Sequence, residues 1–193
     1  MKEEYAIIKN PEILNETHIP FNIPAREPQI NELLTCLKPA LNKKKPLHAW
    51  LYGLPGTGKT LTAKYVLGKM EKEAWVKGLY VNCWENNSYY SILDKIIREL
   101  RILGAEKLST SFKLERLKQA IGSVPFIIVL DEIDMLKKTN IDSVVYNLCN
   151  IGNVGLVFIC NTTDILFSMD ERIRSRLNAK FIEFIPYTTD ELM

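Results

Sequence analysis

The sequence predicts an α/β protein built on a five-stranded parallel sheet that is flanked by helices. Several short runs of apolar and β-branched residues lack polar alternation, as expected of parallel strands covered on both faces. Segments with helical periodicity separate these runs, and a phosphate-binding motif follows the first of them. Strands that alternate with helices imply right-handed crossover connections, and therefore a parallel sheet.

The strands are predicted from apolar runs bounded by glycine or polar residues. They lie at residues 49–52, 78–83, 126–130, 155–160 and 181–185. The last run alternates in part, so we expect it at an edge of the sheet.

Apolar residues at helical spacing predict the helices. One helix begins at residue 29 and a second directly after the phosphate-binding motif. Three more begin at residues 91, 112 and 140. We expect the helix at 91–103 to end with Gly104 at its C′ position. Residues 1–28 contain four prolines and no sustained periodicity, so they are predicted to form an irregular arm.

Length and composition fit a single domain of 193 residues with 47% hydrophobic content. The net charge of +2 provides no general argument for binding nucleic acid or a membrane, so any DNA contact requires a local patch. No signal-peptide pattern and no apolar run of about 20 residues is present. We therefore expect an intracellular protein without a membrane partner.

The four cysteines are far apart and form no C-x-x-C pair, which argues against a zinc site or a disulfide framework. We expect reduced, mostly buried thiols at Cys36, Cys83, Cys149 and Cys160.

The motif Gly-Leu-Pro-Gly-Thr-Gly-Lys-Thr at residues 53–60 matches the phosphate loop G-x-x-x-x-G-K-[ST]. A strand precedes it and a helix follows it, as this motif requires. Its glycines allow successive N–H groups to face one cavity, to which the helix dipole adds positive potential. Lys59 is expected to reach the β- and γ-phosphates, and the Thr60 hydroxyl to ligate Mg²⁺.

Acidic residues directly follow the apolar run at 126–130. An aspartate at the tip of a parallel strand beside the phosphate-loop strand faces the Mg²⁺ shell. We assign Asp131 to the metal and Glu132 to the attacking water. Without the phosphate loop, the pair is equally consistent with a solvated strand end. Asp134 is expected to cap a helix or form a salt bridge.

Asn161 follows the next buried run. If that strand lies between the strands carrying the phosphate loop and Asp131, the Asn161 amide points at the γ-phosphate and the attacking water. The alternative is an Asx-turn that closes the strand.

Arginines recur in the segment Asp-Glu-Arg-Ile-Arg-Ser-Arg-Leu at residues 170–177. Arg172 and Arg176 share one helical face at i, i+4. Such arginines suit an arginine finger, which enters the neighbouring subunit's site and neutralises transition-state charge. A solvated basic helix and a DNA-facing patch are the alternatives.

The closing residues contain a T-x-x-E capping box, Thr188 to Glu191, with Tyr187 and Leu192 available as a hydrophobic staple. This pattern predicts that a helix starts near the end of the sequence. We therefore divide the chain into an arm (1–28), a nucleotide-binding domain (29–186) and the start of a further helical segment (187–193).

Taken together, these motifs resemble the AAA+ ATPases, and within them the origin-recognition and cell-division-control initiator family of archaea and eukaryotes. The resemblance runs from about residue 18 to the end. It implies that residues 187–193 are the start of a helical lid, which is missing or truncated in this sequence. It rests on GLPGTGKT, YVNC, FIIVLDEIDML, FICNTTD, DERIRSRL and FIPYTTDEL in this order, and on the arm IPFNIPAREPQINELL.

The family resemblance implies a sheet order of 5-1-4-3-2 and a role for each matching residue. Asp131 and Glu132 would be the Walker B pair, Asn161 the first sensor, and Arg176 the finger, with Arg172 as second choice. Adenine would lie by the arm, and Tyr187 near the nucleotide. The implied contacts are Ile23, Pro24 and Arg26 for adenine, and Pro55, Gly56, Thr57, Gly58, Lys59, Thr60 and Leu61 for phosphate.

The resemblance also implies a function, namely an ATP/ADP- and Mg²⁺-binding core of a replication initiator. It would hydrolyse ATP slowly, act as a nucleotide-controlled assembly switch and lie in the cytoplasm at the nucleoid. Its partners would be a neighbouring AAA+ subunit, DNA through other parts of the full-length protein, and a replicative helicase. Alternatives are a clamp-loader or chaperone-type ATPase with continuous hydrolysis, and an interaction module with a structural nucleotide.

Overall fold

The computed structural model describes residue 20 and residues 22–73, 76–105, 108–174 and 177–191. Most of the predicted arm therefore lies outside the described residues. The strands are β1 His48–Tyr52, β2 Lys77–Asn82, β3 Phe126–Asp131, β4 Val154–Cys160 and β5 Ala179–Glu183. The helices are α1 Glu27–Leu37, α2 Lys59–Glu73, α3 Tyr89–Glu99, α4 Thr110–Ile121, α5 Lys138–Leu148, α6 Asp164–Ser168 and α7 Glu171–Arg174, with 3-10 helices at Lys38–Asn42 and Ile133–Met135.

The five strands form one parallel sheet in the order β2-β3-β4-β1-β5. This is the expected order 5-1-4-3-2, and β5 lies at an edge as its partial alternation predicts. Because β4 lies between β1 and β3, the carboxyl ends of these three strands are neighbours. The condition set for the predicted role of Asn161 is therefore met.

The core consists of two hydrophobic clusters, one on each face of the sheet. Strand alternation divides the side chains between them: β3 directs Phe126, Ile128 and Leu130 to one cluster and Ile127 and Val129 to the other. Helices α3, α4 and α5 cover the first face, and α1 and α2 cover the second. Double coverage explains why β3 and β4 are buried along their whole length.

The predicted end of α3 is wrong. The helix stops at Glu99, and the residue at C′ is Arg101, with a φ of 52°, rather than Gly104. The Arg101 N–H donates to the Arg98 carbonyl (3.0 Å) and the Ile102 N–H to the Ile97 carbonyl (3.1 Å), which is a Schellman motif. Ile102 packs against the core, and this burial ends the helix one turn early.

All four cysteines are buried free thiols, as predicted. No helix among the described residues is both long and apolar enough to cross a bilayer.

Candidate nucleotide-binding site

The phosphate loop joins the end of β1 to the first turn of α2. Gly53 is required by close approach, because a Cβ there would lie 2.2 Å from the Phe184 carbonyl oxygen. Gly58 has a φ of 89°, a left-handed conformation that favours glycine. The Thr57 side chain closes the turn by donating to the Leu54 carbonyl at 2.8 Å. The loop therefore has the compact curl that a phosphate nest requires.

Lys59 lies at the centre of the candidate site. Its Nζ donates to the carbonyl oxygens of Gly53 (2.7 Å) and Leu54 (2.9 Å) and to Asn161 Oδ1 (3.2 Å). Burial lowers the pKa of the Lys59 ammonium, an effect that nearby Asp131 partly offsets. The structure thus brings the phosphate-loop lysine, at the start of α2, into contact with the predicted sensor, which follows β4.

The two predicted magnesium ligands are also in contact. The Thr60 hydroxyl donates to Asp131 Oδ2 at 2.7 Å, and the Glu132 N–H donates to Asp131 Oδ1 at 2.9 Å. Among the described residues, no group of three or more His, Cys, Asp or Glu side chains could hold a metal ion. A hydroxyl and a carboxylate are nevertheless hard oxygen ligands that fit Mg²⁺, which usually takes few protein ligands and completes its shell with phosphate and water.

Glu132 follows the tip of β3 in a left-handed conformation, with a φ of 55°. A glutamate with positive φ is uncommon, and such strain concentrates at functional sites. Its assignment to the attacking water stays a prediction.

Tyr80 makes a contact with Asp131 that the sequence did not predict. Its hydroxyl donates to Asp131 Oδ2 at 2.7 Å. Burial, reinforced by this carboxylate, raises the pKa of Tyr80, so the hydroxyl remains a donor. Asp131 therefore accepts hydrogen bonds from β2, from α2 and from its own turn. In the register of β2 against β3, Asn82 pairs with Asp131 and Tyr80 pairs with Val129, two residues earlier on each strand. The contact between Tyr80 and Asp131 depends on this register, which the sequence alone does not give.

Asp134 was expected to cap a helix or form a salt bridge, but it holds the end of β4 instead. Its Oδ2 accepts the Asn161 N–H at 3.0 Å. Its Oδ1 is buried and has no hydrogen-bond partner among the described residues. The 3-10 helix that contains Asp134 packs against β4. This contact is tertiary, so the second aspartate of Asp-Glu-Ile-Asp gave no local sign of its partner.

The residues expected around adenine occupy three environments. Ile23 is buried in the cluster beneath α1 and α2, whereas Pro24 is exposed. Arg26 is 2% exposed, and its Nε donates to the Thr57 carbonyl at 2.9 Å. The Tyr187 ring stacks on the Arg26 guanidinium, with 3.7 Å between Cζ and the ring centroid. Arg26 and Tyr187 thus contact each other and the phosphate loop, and their adenine roles stay predictions.

The two candidate finger arginines cannot be ranked by their placement. Arg172 lies in the short helix α7, where its backbone N–H donates to Asp170 Oδ1 at 2.8 Å. Arg176 lies outside the described residues. The finger assignment stays a prediction.

The capping box predicted near the end of the sequence forms. The Thr188 N–H donates to Glu191 Oε2 at 2.8 Å, and the Glu191 N–H donates to Thr188 Oγ1 at 3.4 Å. The Thr188 N–H and the Thr188 hydroxyl, which donates to the same Oε2 at 3.0 Å, lower the pKa of the Glu191 carboxyl. Leu192, the other half of the expected staple, lies outside the described residues.

A phosphate loop after β1, with Asp131 and Asn161 at the ends of the next two strands along the sheet, defines the P-loop nucleoside-triphosphatase class. Comparison with known proteins places the chain within this class. The family model described as "AAA domain" matches residues 42–177, more than half of the chain. The chain belongs to the AAA domain family.

Curated relatives support the assignment of the chain to the initiator branch of this family. The chain is 37% identical to an ORC1-type DNA replication protein of Thermoplasma volcanium, over 93% of the chain and 47% of that protein. It is 36% identical to ORC1-type DNA replication protein 2 of Thermoplasma acidophilum, over 95% of the chain and 48% of that protein. The resemblance to the initiator family is confirmed. The chain spans about half the length of these relatives.

Two solved structures also match the chain. The Aeropyrum pernix ORC1 protein in complex with DNA superposes with a TM-score of 0.83 at 34% identity, covering 93% of the chain and 50% of that protein. Cdc6p of Pyrobaculum aerophilum superposes with a TM-score of 0.84 at 24% identity, covering 95% of the chain and 51% of that protein. At this lower identity, the second match supports the fold alone.

Proposed function

We propose that this chain is the ATP-binding core of a DNA replication initiator and acts as a nucleotide-controlled assembly switch. One observation carries the proposal: Lys59 and Thr60, at the start of α2, meet Asn161 and Asp131 at the carboxyl ends of three adjacent strands. The names of the ORC1-type relatives supply the biological context.

Each of these side chains would have a separate role in binding or hydrolysing ATP. The Lys59 ammonium exchanges the Gly53 and Leu54 carbonyls for the β- and γ-phosphate oxygens, which are stronger acceptors because they are charged. Thr60 and Asp131 would hold Mg²⁺, which neutralises charge that develops on the phosphates. Glu132 orients the attacking water, and Asn161 senses the γ-phosphate with a neutral amide.

Hydrolysis by one chain alone should be slow. In related phosphoryl-transfer enzymes, an arginine finger raises the rate by about 10³ to 10⁵. We propose that Arg176, or else Arg172, supplies this group to the neighbouring subunit. ATP would then bridge two subunits and control their assembly.

DNA and a replicative helicase are proposed as partners of the full-length protein. The Aeropyrum pernix ORC1 structure is a complex with DNA, and half of that protein corresponds to this chain. A local surface would have to make any DNA contact of the core itself, because the net charge is only +2. We propose that the protein acts in the cytoplasm, at the nucleoid.

Steady-state ATP hydrolysis tests the proposed function. Without a neighbour's arginine, we expect turnover on the order of 10⁻³ s⁻¹, the scale of unassisted P-loop enzymes. Turnover per chain should rise with protein concentration, because assembly completes the site. Glu132→Gln should abolish turnover while ATP still binds. A rate of about 1 s⁻¹ or more that is independent of protein concentration would contradict the switch and favour a clamp-loader or chaperone-type ATPase.

A further inference from the structure

The Arg26 guanidinium joins three separate segments of the backbone. Nε donates to the Thr57 carbonyl (2.9 Å), one terminal nitrogen to the Ala25 carbonyl (3.0 Å), and the other to the Ile185 carbonyl (2.8 Å). The residue is 2% exposed. A planar fork of donors can reach three carbonyls in this way, whereas a lysine ammonium acts as a point charge.

The buried charge of Arg26 is stabilised by dipoles and aromatic rings. None of the salt bridges between described residues includes Arg26. Instead, its Cζ lies 3.7 Å from the Tyr187 ring centroid and 5.8 Å from that of Phe184. The guanidinium therefore lies between these rings and the phosphate loop.

The hydrogen bond to Thr57 has a consequence for the next amide of the loop. In a trans peptide, the carbonyl and the following N–H point in opposite directions. Holding the Thr57 carbonyl toward Arg26 therefore turns the Gly58 N–H away from Arg26. Among the hydrogen bonds between described residues, none uses this N–H. In a phosphate loop, such backbone N–H groups bind the phosphates.

We propose that Arg26 is a positioning residue for phosphate binding, which orients the Gly58 N–H toward the triphosphate and links that orientation to the segment after β5. The inference rests on the proposed nucleotide-binding function and deepens it. The link is made through the Ile185 carbonyl and the Tyr187 ring.

Two further contacts support this linkage. Ala25 has a φ of 57°, a strained conformation that places the Ala25 carbonyl on the Arg26 fork. On the other side of the loop, the Phe184 N–H donates to the Tyr52 carbonyl at 2.8 Å, and the Phe184 backbone leaves no room for a Cβ at Gly53. The segment after β5 therefore contacts the phosphate loop at its start and, through Arg26, at its centre.

Titration with ATP and with inorganic tripolyphosphate, followed by calorimetry, tests the proposal. Arg26→Lys retains the charge but cannot hold all three carbonyls, so we expect about tenfold weaker binding of both ligands. Arg116→Lys, at an exposed arginine of α4, is the matched control and should bind both ligands as the wild type does. Weaker binding of ATP alone would mean that Arg26 contacts the base, and unchanged binding of both would mean that it positions nothing. Either result overturns the proposal.

Two additional measurements separate positioning from a general loss of folding. In ¹⁵N–¹H spectra, tripolyphosphate should shift the Gly58 amide proton downfield in the wild type, and by clearly less in Arg26→Lys. If that variant does not fold, Tyr187→Ala, which removes only the stacked ring, should weaken tripolyphosphate binding about threefold. Unchanged binding by Tyr187→Ala would overturn the linkage to the segment after β5. A wild-type chain that binds neither ligand would instead refute the proposed function itself.

Discussion

Asp134 holds the end of β4 from a different element, through the hydrogen bond from the Asn161 N–H to its Oδ2 (3.0 Å). Motif spacing predicts residues such as Lys59 and Asp131, because their chemistry depends on local sequence. It cannot predict Asp134 or Tyr80, since their partners lie on other elements and become neighbours only once the sheet order is known.

Asp134 provides a test with two matched substitutions. Asp134→Ala leaves the Asn161 N–H without its acceptor, so we expect the free energy of unfolding to fall by about 1–2 kcal/mol. Asp134→Asn keeps an oxygen acceptor and should cost less than about 1 kcal/mol. Urea unfolding measures both. Equal losses in the two variants would show that the charge of Asp134 matters and that its hydrogen bond does not.

At the scale of elements, β1 and β4 are joined by a side chain as well as by their ladder. His48 is 4% exposed, and its Nδ1 accepts the Leu156 N–H at 3.1 Å. Burial, assisted by the Lys45 charge, lowers the pKa of His48 to about 4. The imidazole is therefore neutral in the folded protein at pH values well above 4.

This histidine predicts a pH dependence of stability. Its folded pKa is below the unfolded value of 6.5, so its contribution is complete above pH 6.5 and is lost as pH falls toward 4. Between pH 7.5 and pH 5, the wild type should lose about 2 kcal/mol relative to His48→Asn, which retains an acceptor but does not titrate. Urea unfolding at both pH values measures this difference. A constant difference between the two proteins would contradict the assignment.

Periodicity predicted the existence of the elements better than their ends. The positions of all five strands follow from apolar runs. These runs are continuous in β3 and β4 because both faces of those strands are buried. The end of α3 could not be predicted, since Leu103 continues the apolar stripe yet is 91% exposed. Packing of Ile102 against the core, a tertiary effect, decided where the helix stops.

At the scale of the molecule, the sheet order creates the site. Placing β4 between β1 and β3 brings Asn161 between the phosphate loop and Asp131. The strand order was predicted from the family resemblance, because no local pattern in the sequence encodes which strands are neighbours. The arm contacts could not be predicted for the same reason: Arg26 meets Ile185, 159 positions away along the chain.

The affinity of the chain for ATP, measured by calorimetry in the wild type and in Lys59→Ala, tests the central claim most directly. Lys69→Ala, at an exposed lysine of the same helix, is the control for charge. If Lys59 is the phosphate ligand, the first substitution weakens ATP binding by about 100-fold, and the second leaves it unchanged. Binding by Lys59→Ala as tight as that of the wild type would contradict the account.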